Sequence, residues 1–412
     1  MEIMPSFQDL MISFFGIYSE NYIKNNGLFI VYDKDKNIKF KTKNVTNYSE
    51  DIILTDLAFI FGEYQTITSD NPEAVEVLTE ILKNNNWDKF KYLATLQGLI
   101  LGTTAFKVGL DEFGNAKFEL VKLLDCNLKP VYQGNDFMYW HLKSRYKDSD
   151  NSFYEIEEYF SKEFYRRYED GKLVIDIPNR YGIPWLFVIP NRPSLTHDWR
   201  GKSEWDRYRN IIDEINSKYS KMSRIEDTFE DPKFIGKGIT DAEELKLSDK
   251  MWFVADPNAD IKVIEIQGNV LQHMLNGADK LEAILKDQAP ELILNNIDGI
   301  SGRALQQKLT KLEKKIKTLR ETYFNAFKQL FGLLYEMQTG NKVKFKYTAD
   351  SVLPTDDESL LNKLAMLDSM GIISKETIAT ELGYDYQEEM EKIAKEQSFA
   401  GVDINEQKQL LE

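Results

Sequence analysis

Metal-binding and thiol residues are scarce in this 412-residue sequence, which has one cysteine and three histidines. Cys126 has no partner for an intramolecular disulfide. With only His141, His197 and His273 besides, the chain offers too few ligands at any usual spacing for a Cys/His zinc site. We therefore expect a protein of a reducing compartment that holds no structural metal.

The sequence also lacks a long apolar run and a targeting segment. The longest apolar candidate, residues 93–108, is interrupted by Gln97 and Lys107 and is shorter than the roughly 20 residues of a membrane span. The first ten residues carry acidic groups where a signal peptide carries basic ones. These absences predict a soluble intracellular protein without a membrane partner.

Basic residues are in the minority, with 52 Lys and Arg against 67 Asp and Glu, a formal net charge of -15. A protein that coats nucleic acid needs a basic surface to replace condensed counterions. The charge therefore argues against a coating protein. It leaves open a conduit for DNA, because a duplex that must slide should meet few phosphate-binding groups.

The residues that are abundant describe a folded chain, with 42% hydrophobic content and only 11 prolines. That is enough for two or three domains or one elongated subunit. The first 200 residues predict a mixed α/β region. Its helices are expected after the Asn71-Pro72 start signal and at residues 89–101, and its strands at residues 105–110, 118–123, 154–168, 172–177 and 185–189.

Two amphipathic helices follow, at residues 205–229 and 269–289, where Pro290 ends the second. Between them we predict a small β module with strands at residues 251–254 and 261–266 and turns at 236–238 and 256–258. A hairpin of two such helices cannot bury both apolar stripes alone, so copies around a ring would supply the neighbours. The stripe residues expected at subunit contacts are Trp205, Tyr208, Ile212, Tyr219, Leu275, Leu281 and Leu285.

A third helix of nearly 40 residues is predicted to start at Ser301-Gly302, followed by a half-exposed strand at residues 341–348 and an acidic helical region at 351–412. Residues 303–320 carry seven basic groups against Glu313 alone. Two interpretations are open: a face that pairs with acids of a neighbouring helix or subunit, or a weak phosphate-facing belt of mobile point charges.

The strongest catalytic signal is the Gly201-Lys202-Ser203 sequence, which resembles the end of a phosphate-binding loop. Such a loop needs glycine five positions before the Gly-Lys pair, and Thr196 stands there. The neighbours His197 and Asp198 have no recognisable Ser or Cys nucleophile near them. Acidic pairs elsewhere are typical of solvated helix faces. We therefore predict no enzyme activity, no metal and no cofactor.

The order of parts resembles the portal proteins of tailed bacteriophages, the head-to-tail connectors. The local sequences that carry the resemblance are NRYGIP at 179–184, NRP at 191–193, GKSE at 201–204, IIDEIN at 211–216, ISGRAL at 300–305 and GIISKET at 371–377. None of them is a catalytic signature.

The resemblance implies an α+β portal-type subunit with a mixed α/β wing, a two-helix stem, a small β-containing clip, a long wing helix and a helical crown. In this sequence the wing would be residues 1–204 with the long wing helix and strand at 303–350. The remaining parts would be stem helix 1 at 205–229, the clip at 230–268, stem helix 2 at 269–289, the tunnel loop at 290–302 and the crown at 351–412.

By the same resemblance the chain would form a ring, usually a dodecamer, at one capsid vertex of a virion, made in the host bacterial cytoplasm. Double-stranded DNA would pass through it in packaging and ejection. The terminase, a neck adaptor, and capsid and scaffold proteins would be partners, and ATP hydrolysis would belong to the terminase. The residues expected along the DNA channel are Asn295, Asn296, Ile297, Asp298, Arg303, Lys308, Lys311 and Lys315.

Two other classes stay open. A DNA-processing enzyme such as a nuclease or recombinase would explain the basic helix. A cytosolic helical scaffold protein would explain the missing catalytic groups.

Overall fold

The computed structural model describes residues 6–147, 153–192, 199–229, 233–237, 260–264, 268–293, 302–350 and 364–382, with a few more up to residue 393. The chain divides into two compact units, Met1–Val352 and Leu353–Glu412. No helix among the described residues is long and apolar enough to cross a membrane.

The amino-terminal part of the first unit is helical. Ser6 caps α1 (Phe7–Phe14) and Ser19 caps α2 (Glu20–Asn25), each accepting a hydrogen bond from a backbone amide of the first turn. A short antiparallel pair, β1 (Ile30–Tyr32) and β2 (Ile38–Lys41), leads to α3 (Tyr48–Phe61). β3 (Gln65–Ser69), α4 (Pro72–Asn84) and α5 (Trp87–Leu101) follow. Asn71 caps α4, and Pro72 is its first residue. The positions of α4 and α5 confirm the two helices predicted in this region.

Two antiparallel sheets follow the helices. One has the order β11-β4-β5, from β4 (Thr103–Leu110), β5 (Ala116–Leu120) and β11 (Leu186–Pro190). The other has the order β10-β9-β8-β7-β6, from β6 (Cys126–Gln133), β7 (Asp136–Lys147), β8 (Phe153–Ser161), β9 (Phe164–Glu169) and β10 (Lys172–Pro178). The mixed α/β prediction is confirmed.

One predicted strand in this region was wrong. The pattern at residues 154–168 predicted a single strand, whereas β8 and β9 form a hairpin in which Phe160 pairs with Tyr165. The turn is only two residues long and polar, so the alternation of aromatic and charged side chains continues across it. The long pair β6 and β7 was missed altogether.

The central helices and the module between them lie in the predicted order. α6 (Asp206–Phe229) and α7 (Gly268–Gln288) are joined through β12 (Lys233–Lys237) and β13 (Asp260–Ile264), which pair antiparallel. The turn predicted at 236–238 was wrong, because Gly236 lies within β12 and pairs with Ile261. The strand predicted at residues 251–254 and the turn at 256–258 lie outside the described residues.

A 38-residue helix, α8 (Gly302–Thr339), runs through the main core after a 3-10 helix at Pro290–Ile293. At 1.5 Å per residue α8 is about 57 Å long. Trp87 of α5 packs its ring edge-to-face against Phe327 and Phe331 of α8, at 5.0 and 5.1 Å between centroids. After α8, β14 (Phe345–Ala349) pairs with β3, and the second unit contains α9 (residues 364–369) and α10 (Lys375–Glu381).

Candidate channel and assembly residues

The residues predicted to line a DNA channel fall into three groups: those outside the described residues, those near the start of α8, and Lys315, which is buried. Asn295, Asn296, Ile297 and Asp298 lie outside the described residues. Arg303 and Lys308 lie in the first turns of α8, and Lys311 follows them with an exposed side chain. Lys314, one turn after Lys311, is exposed as well.

Lys315 is a correction to the predicted basic belt. Its ammonium lies among three wholly buried carboxylates: 2.5 Å from Asp56 of α3, 3.5 Å from Glu204 before α6, and in direct contact with Glu291 of the 3-10 helix. Only 10% of the Lys315 side chain is exposed. A lysine enclosed in this way is not available to a passing phosphate, so Lys315 is a structural residue.

The electrostatics agree with that role. Burial alone lowers the pKa of Lys315, but the attraction of Asp56, Glu291 and Glu204 outweighs it, and the net pKa is raised. Arg192, which follows β11, binds Glu204 through Nε at 2.9 Å and through Nη2. These five charged residues, hereafter the buried charge cluster, join four regions of the chain that are distant in sequence.

Arg320 is the second structural residue of the basic segment. Its guanidinium donates hydrogen bonds to the carbonyl oxygens of Ile60 at 2.9 Å and Phe59 at 2.7 Å, at the end of α3, and to that of Asp350. The last carbonyls of a helix have no donor within the helix, and the helix end attracts a cation. Arg320 therefore caps α3.

Four of the seven predicted subunit-contact residues are buried inside their own subunit. Trp205, Tyr208 and Ile212 of the α6 region and Leu285 of α7 are at most 1% exposed. The Trp205 ring lies 5.7 Å from that of Phe14 in α1. The prediction was wrong for these four because helices of the same chain cover the base of the α6–α7 pair, which is the end formed by the start of α6 and the end of α7.

The other three residues of that set, Tyr219, Leu275 and Leu281, are only partly buried. Tyr219 donates a hydrogen bond to Glu282 over 2.7 Å and so ties α6 to α7. The most exposed large apolar side chains of α7 are Val270 and Ile284, at 49% and 46%.

Sequence reasoning missed a polar stripe on α6 that holds the amino-terminal segment. Asp213 accepts hydrogen bonds from the hydroxyls of Ser13 (2.8 Å), Tyr18 (2.9 Å) and Tyr22 (2.7 Å). Burial raises the pKa of Asp213, and these three hydrogen bonds oppose the rise. One turn further, the Asn216 side chain accepts from the backbone amide of Val45 at 2.8 Å.

The stripe continues with Ser217, which accepts from the amide of Phe29, and Ser220, which accepts from the amide of Lys43. The spacing of positions 213, 216, 217 and 220 is that of one helix face. That spacing could have predicted the stripe from the sequence, because four polar residues on one helix face, flanked by apolar residues, indicate a buried polar contact.

The Gly201-Lys202-Ser203 sequence is a packing motif. The amide of Gly201 donates to the Thr103 hydroxyl at 2.9 Å, and a Cβ on Gly201 would lie 2.4 Å from the carbonyl oxygen of Gly102. The Ser203 hydroxyl donates to the carbonyl of Leu99. The glycine is thus required for close approach to the end of α5, and its amide is already bonded to the protein. Among the described residues, no group of His, Cys, Asp or Glu has the arrangement of a metal site.

Comparison with known proteins identifies the class to which this architecture belongs. Residues 16–401 match the family of phage portal proteins described as SPP1 Gp6-like. Because the match covers most of the chain, the chain belongs to this portal protein family. Its role is therefore that of a portal or connector component, which is a structural part of a phage or phage-like particle.

A solved structure shares the fold. A chain from the neck of an empty GTA particle, computed with C6 symmetry, is 12% identical with a TM-score of 0.52, covering 81% of this chain and 89% of that chain. Chains from the virion of a native gene transfer agent (GTA) particle and from the neck of a native GTA particle computed with C12 symmetry have the same identity and coverage, with TM-scores of 0.47 and 0.48. No curated protein sequence matches the chain.

Proposed function

We propose that twelve copies of this chain form a ring channel at one capsid vertex, through which double-stranded DNA enters during packaging and leaves during ejection. The family match over residues 16–401 carries the proposal. The order of elements supports it: a mixed α/β region, two long helices flanking a small antiparallel pair, then a 38-residue helix.

Within this proposal the chain has the parts of a portal subunit. Residues 1–204 and 303–350 form the wing, α6 and α7 the stem, residues 230–268 the clip, 290–302 the tunnel loop and 351–412 the crown. The buried base of α6 supports a revised stem interface. Subunits meet through the more exposed side chains of α7, such as Val270 and Ile284, because Trp205 directly before α6 and Tyr208 and Ile212 within it are already covered.

The channel contacts are also revised. The tunnel loop at Asn295 to Asp298 comes nearest the DNA, with Lys308, Lys311 and Lys314 behind it on α8. Each contact must be weak, since even one phosphate bond per subunit, summed round a ring, would tether the DNA through avidity. The exposed lysines Lys311 and Lys314 suit that requirement, because lysine side chains are mobile and do not fix a register.

The chain supplies no chemistry of its own in this account. The terminase hydrolyses ATP, a neck adaptor binds the clip, and capsid and scaffold proteins meet the wing. The packed environment of Gly201 supports this, because the amide that would face a nucleotide phosphate bonds to Thr103 instead.

The channel assignment is tested by reversing charge on α8. A Lys311→Glu/Lys314→Glu variant should assemble into rings but lower the amount of DNA packaged or retained per particle. The matched control is Lys344→Glu/Lys346→Glu, at two exposed lysines, one directly before β14 and one within it. If the α8 variant fills and holds DNA as the control does, these lysines take no part in translocation.

A further inference from the structure

The buried charge cluster has more negative than positive groups at its centre. Asp56, Glu204 and Glu291 are each at most 1% exposed. In the part of the chain that the structure describes, the cations in contact with them are Lys315 and Arg192. Moving a charge from water into a protein interior is costly unless an opposite charge compensates it.

Arg192 compensates the charge of one of the three carboxylates, that of Glu204. Its guanidinium holds both oxygens of Glu204, with Nε on Oε1 and Nη2 on Oε2, which is the bidentate geometry of a strong arginine-carboxylate pair. Asp56 and Glu291 are left to share the single ammonium of Lys315. Two carboxylates and one ammonium leave one negative charge without a cation in direct contact.

The hydrogen bonds show the same deficit. Lys315 bonds to Oδ2 of Asp56 and Oε1 of Glu291. The other oxygen of each carboxylate, Oδ1 of Asp56 and Oε2 of Glu291, is buried and has no hydrogen-bond partner among the described residues. Buried polar atoms are nearly always paired. The two unpaired carboxylate oxygens can only accept hydrogen bonds, whereas a protonated carboxyl group would also be a donor.

We propose that the Asp56–Glu291 pair is a proton-binding site, in which one of the two carboxyl groups is a neutral carboxylic acid at neutral pH. A proton from solvent forms one O–H bond on a carboxylate oxygen, no other bond in the protein breaks, and the summed charge of Asp56, Glu291 and Lys315 rises from -1 to zero. The other charged or titratable groups that face the pair are Arg207 at the start of α6 and Tyr323 of α8.

The electrostatics of Asp56 agree with this geometry. Burial is the largest cause of a pKa raised to about 8; Lys315 opposes the rise, and Glu291 and Glu204 add to it. Because Lys315 serves three carboxylates at once, it cannot hold the pKa of Asp56 down as it would in an isolated pair.

The site has a structural consequence. Glu291 lies in the 3-10 helix at Pro290–Ile293, and its contact with Lys315 joins that helix to α8. The contact of Asp56 with the same ammonium joins α3 to this junction. Loss of the proton places a second negative charge beside one ammonium and weakens this junction. The inference does not depend on the channel function, since it rests on contacts within one subunit.

The test is an infrared pH titration of the intact chain. The carbonyl stretch of a buried protonated carboxyl group should be present at pH 6 and lost by pH 10. Asp56→Asn and Glu291→Gln should each abolish it, because either change leaves one carboxylate for one ammonium and removes the need for a proton. The control is Asp213→Asn, which removes the other buried aspartate with a raised pKa and should leave the band in place.

Three results would overturn the proposal: no such band in the wild-type chain, a band that survives both amide substitutions, or a band that disappears with Asp213→Asn. If the amide variants do not fold, separate ¹³C labelling of aspartate and glutamate in the wild-type chain decides the question. The band must then shift with one of the two labels, and a pH-independent or label-insensitive band contradicts the site.

Discussion

Tyr208 of α6 donates the hydrogen bond of its phenol to the backbone carbonyl of Gln288, the last residue of α7, over 2.9 Å. The carbonyl of a final helical residue has no donor within its own helix. Tyr208 therefore caps α7 and fastens the bases of the two helices inside one subunit. The base of the pair belongs to the folded core of the monomer and does not depend on neighbouring copies.

Replacing Tyr208 with Phe should lower the free energy of unfolding by about 1 kcal/mol, the usual worth of one buried hydrogen bond. The oligomeric mass should not change. Urea denaturation and light scattering measure the two quantities, with Tyr64→Phe as the control at a tyrosine that is 74% exposed. Loss of oligomers with unchanged subunit stability would return Tyr208 to the subunit interface.

The long helices could be predicted because their apolar residues repeat at helical spacing over many turns, which no strand produces. The same periodicity does not tell what covers a helix face. Trp205, Tyr208 and Ile212 were assigned to a neighbouring subunit, whereas helices from the amino-terminal part of the same chain, 150 or more residues earlier, bury them. Only the tertiary fold brings those segments together.

Asp213 should be the most sensitive position on the polar stripe of α6. An Asp213→Ala change leaves the buried hydroxyls of Ser13, Tyr18 and Tyr22 without their common acceptor and should cost about 3 kcal/mol of unfolding free energy. Limited proteolysis should then cut within residues 13–46 sooner than in the wild type. The control Glu214→Ala removes only a half-exposed pair with Lys218 and should change stability by less than about 0.5 kcal/mol. Equal effects of both changes would show that the stripe does not hold the amino-terminal segment.

Substitutions at Gly201 and Lys202 distinguish a packing motif from a nucleotide-binding loop. Gly201→Ala should destabilise the chain by about 2 kcal/mol, because its Cβ would meet the backbone of Gly102 and Asn191. Lys202→Ala should leave any trace ATP hydrolysis unchanged. Hydrolysis that disappears with Lys202→Ala would show that the motif binds nucleotide after all.

The buried charge cluster could not be read from the sequence. Lys315 stands among six other basic residues between 303 and 320, and nothing local separates it from Lys314. Its partners Asp56, Glu204 and Glu291 come from three distant segments. The strands β6 and β7 were missed for a different reason: Pro130 interrupts one, and partly buried aromatic and charged side chains blur the alternation of both.

Stability should fall as pH rises from about 5 to 8. The proposed Asp56–Glu291 pair keeps a proton in the folded chain, where the pKa of Asp56 is raised to about 8, while the unfolded aspartate releases its proton near pH 4. The Asp56 contribution is therefore full at low pH and declines by about 1.4 kcal/mol per pH unit across this window. Denaturation at several pH values should show a flatter profile for Asp56→Asn and no change in slope for Asp111→Asn, a partly exposed aspartate whose pKa is lowered by hydrogen bonds from Asn115 and Phe113. A wild-type slope that Asp56→Asn leaves intact would contradict this assignment.

Electron microscopy of the purified chain in negative stain tests the ring channel most directly, with light scattering of the same sample to give the mass. The account predicts closed rings with a central hole and a mass of about twelve subunits. Val270→Asp/Ile284→Asp should break the rings, and Phe113→Asp, at a side chain 88% exposed after β4, should leave them intact. A chain that stays monomeric or dimeric at every concentration and salt condition, with no rings on the grid, would contradict the account.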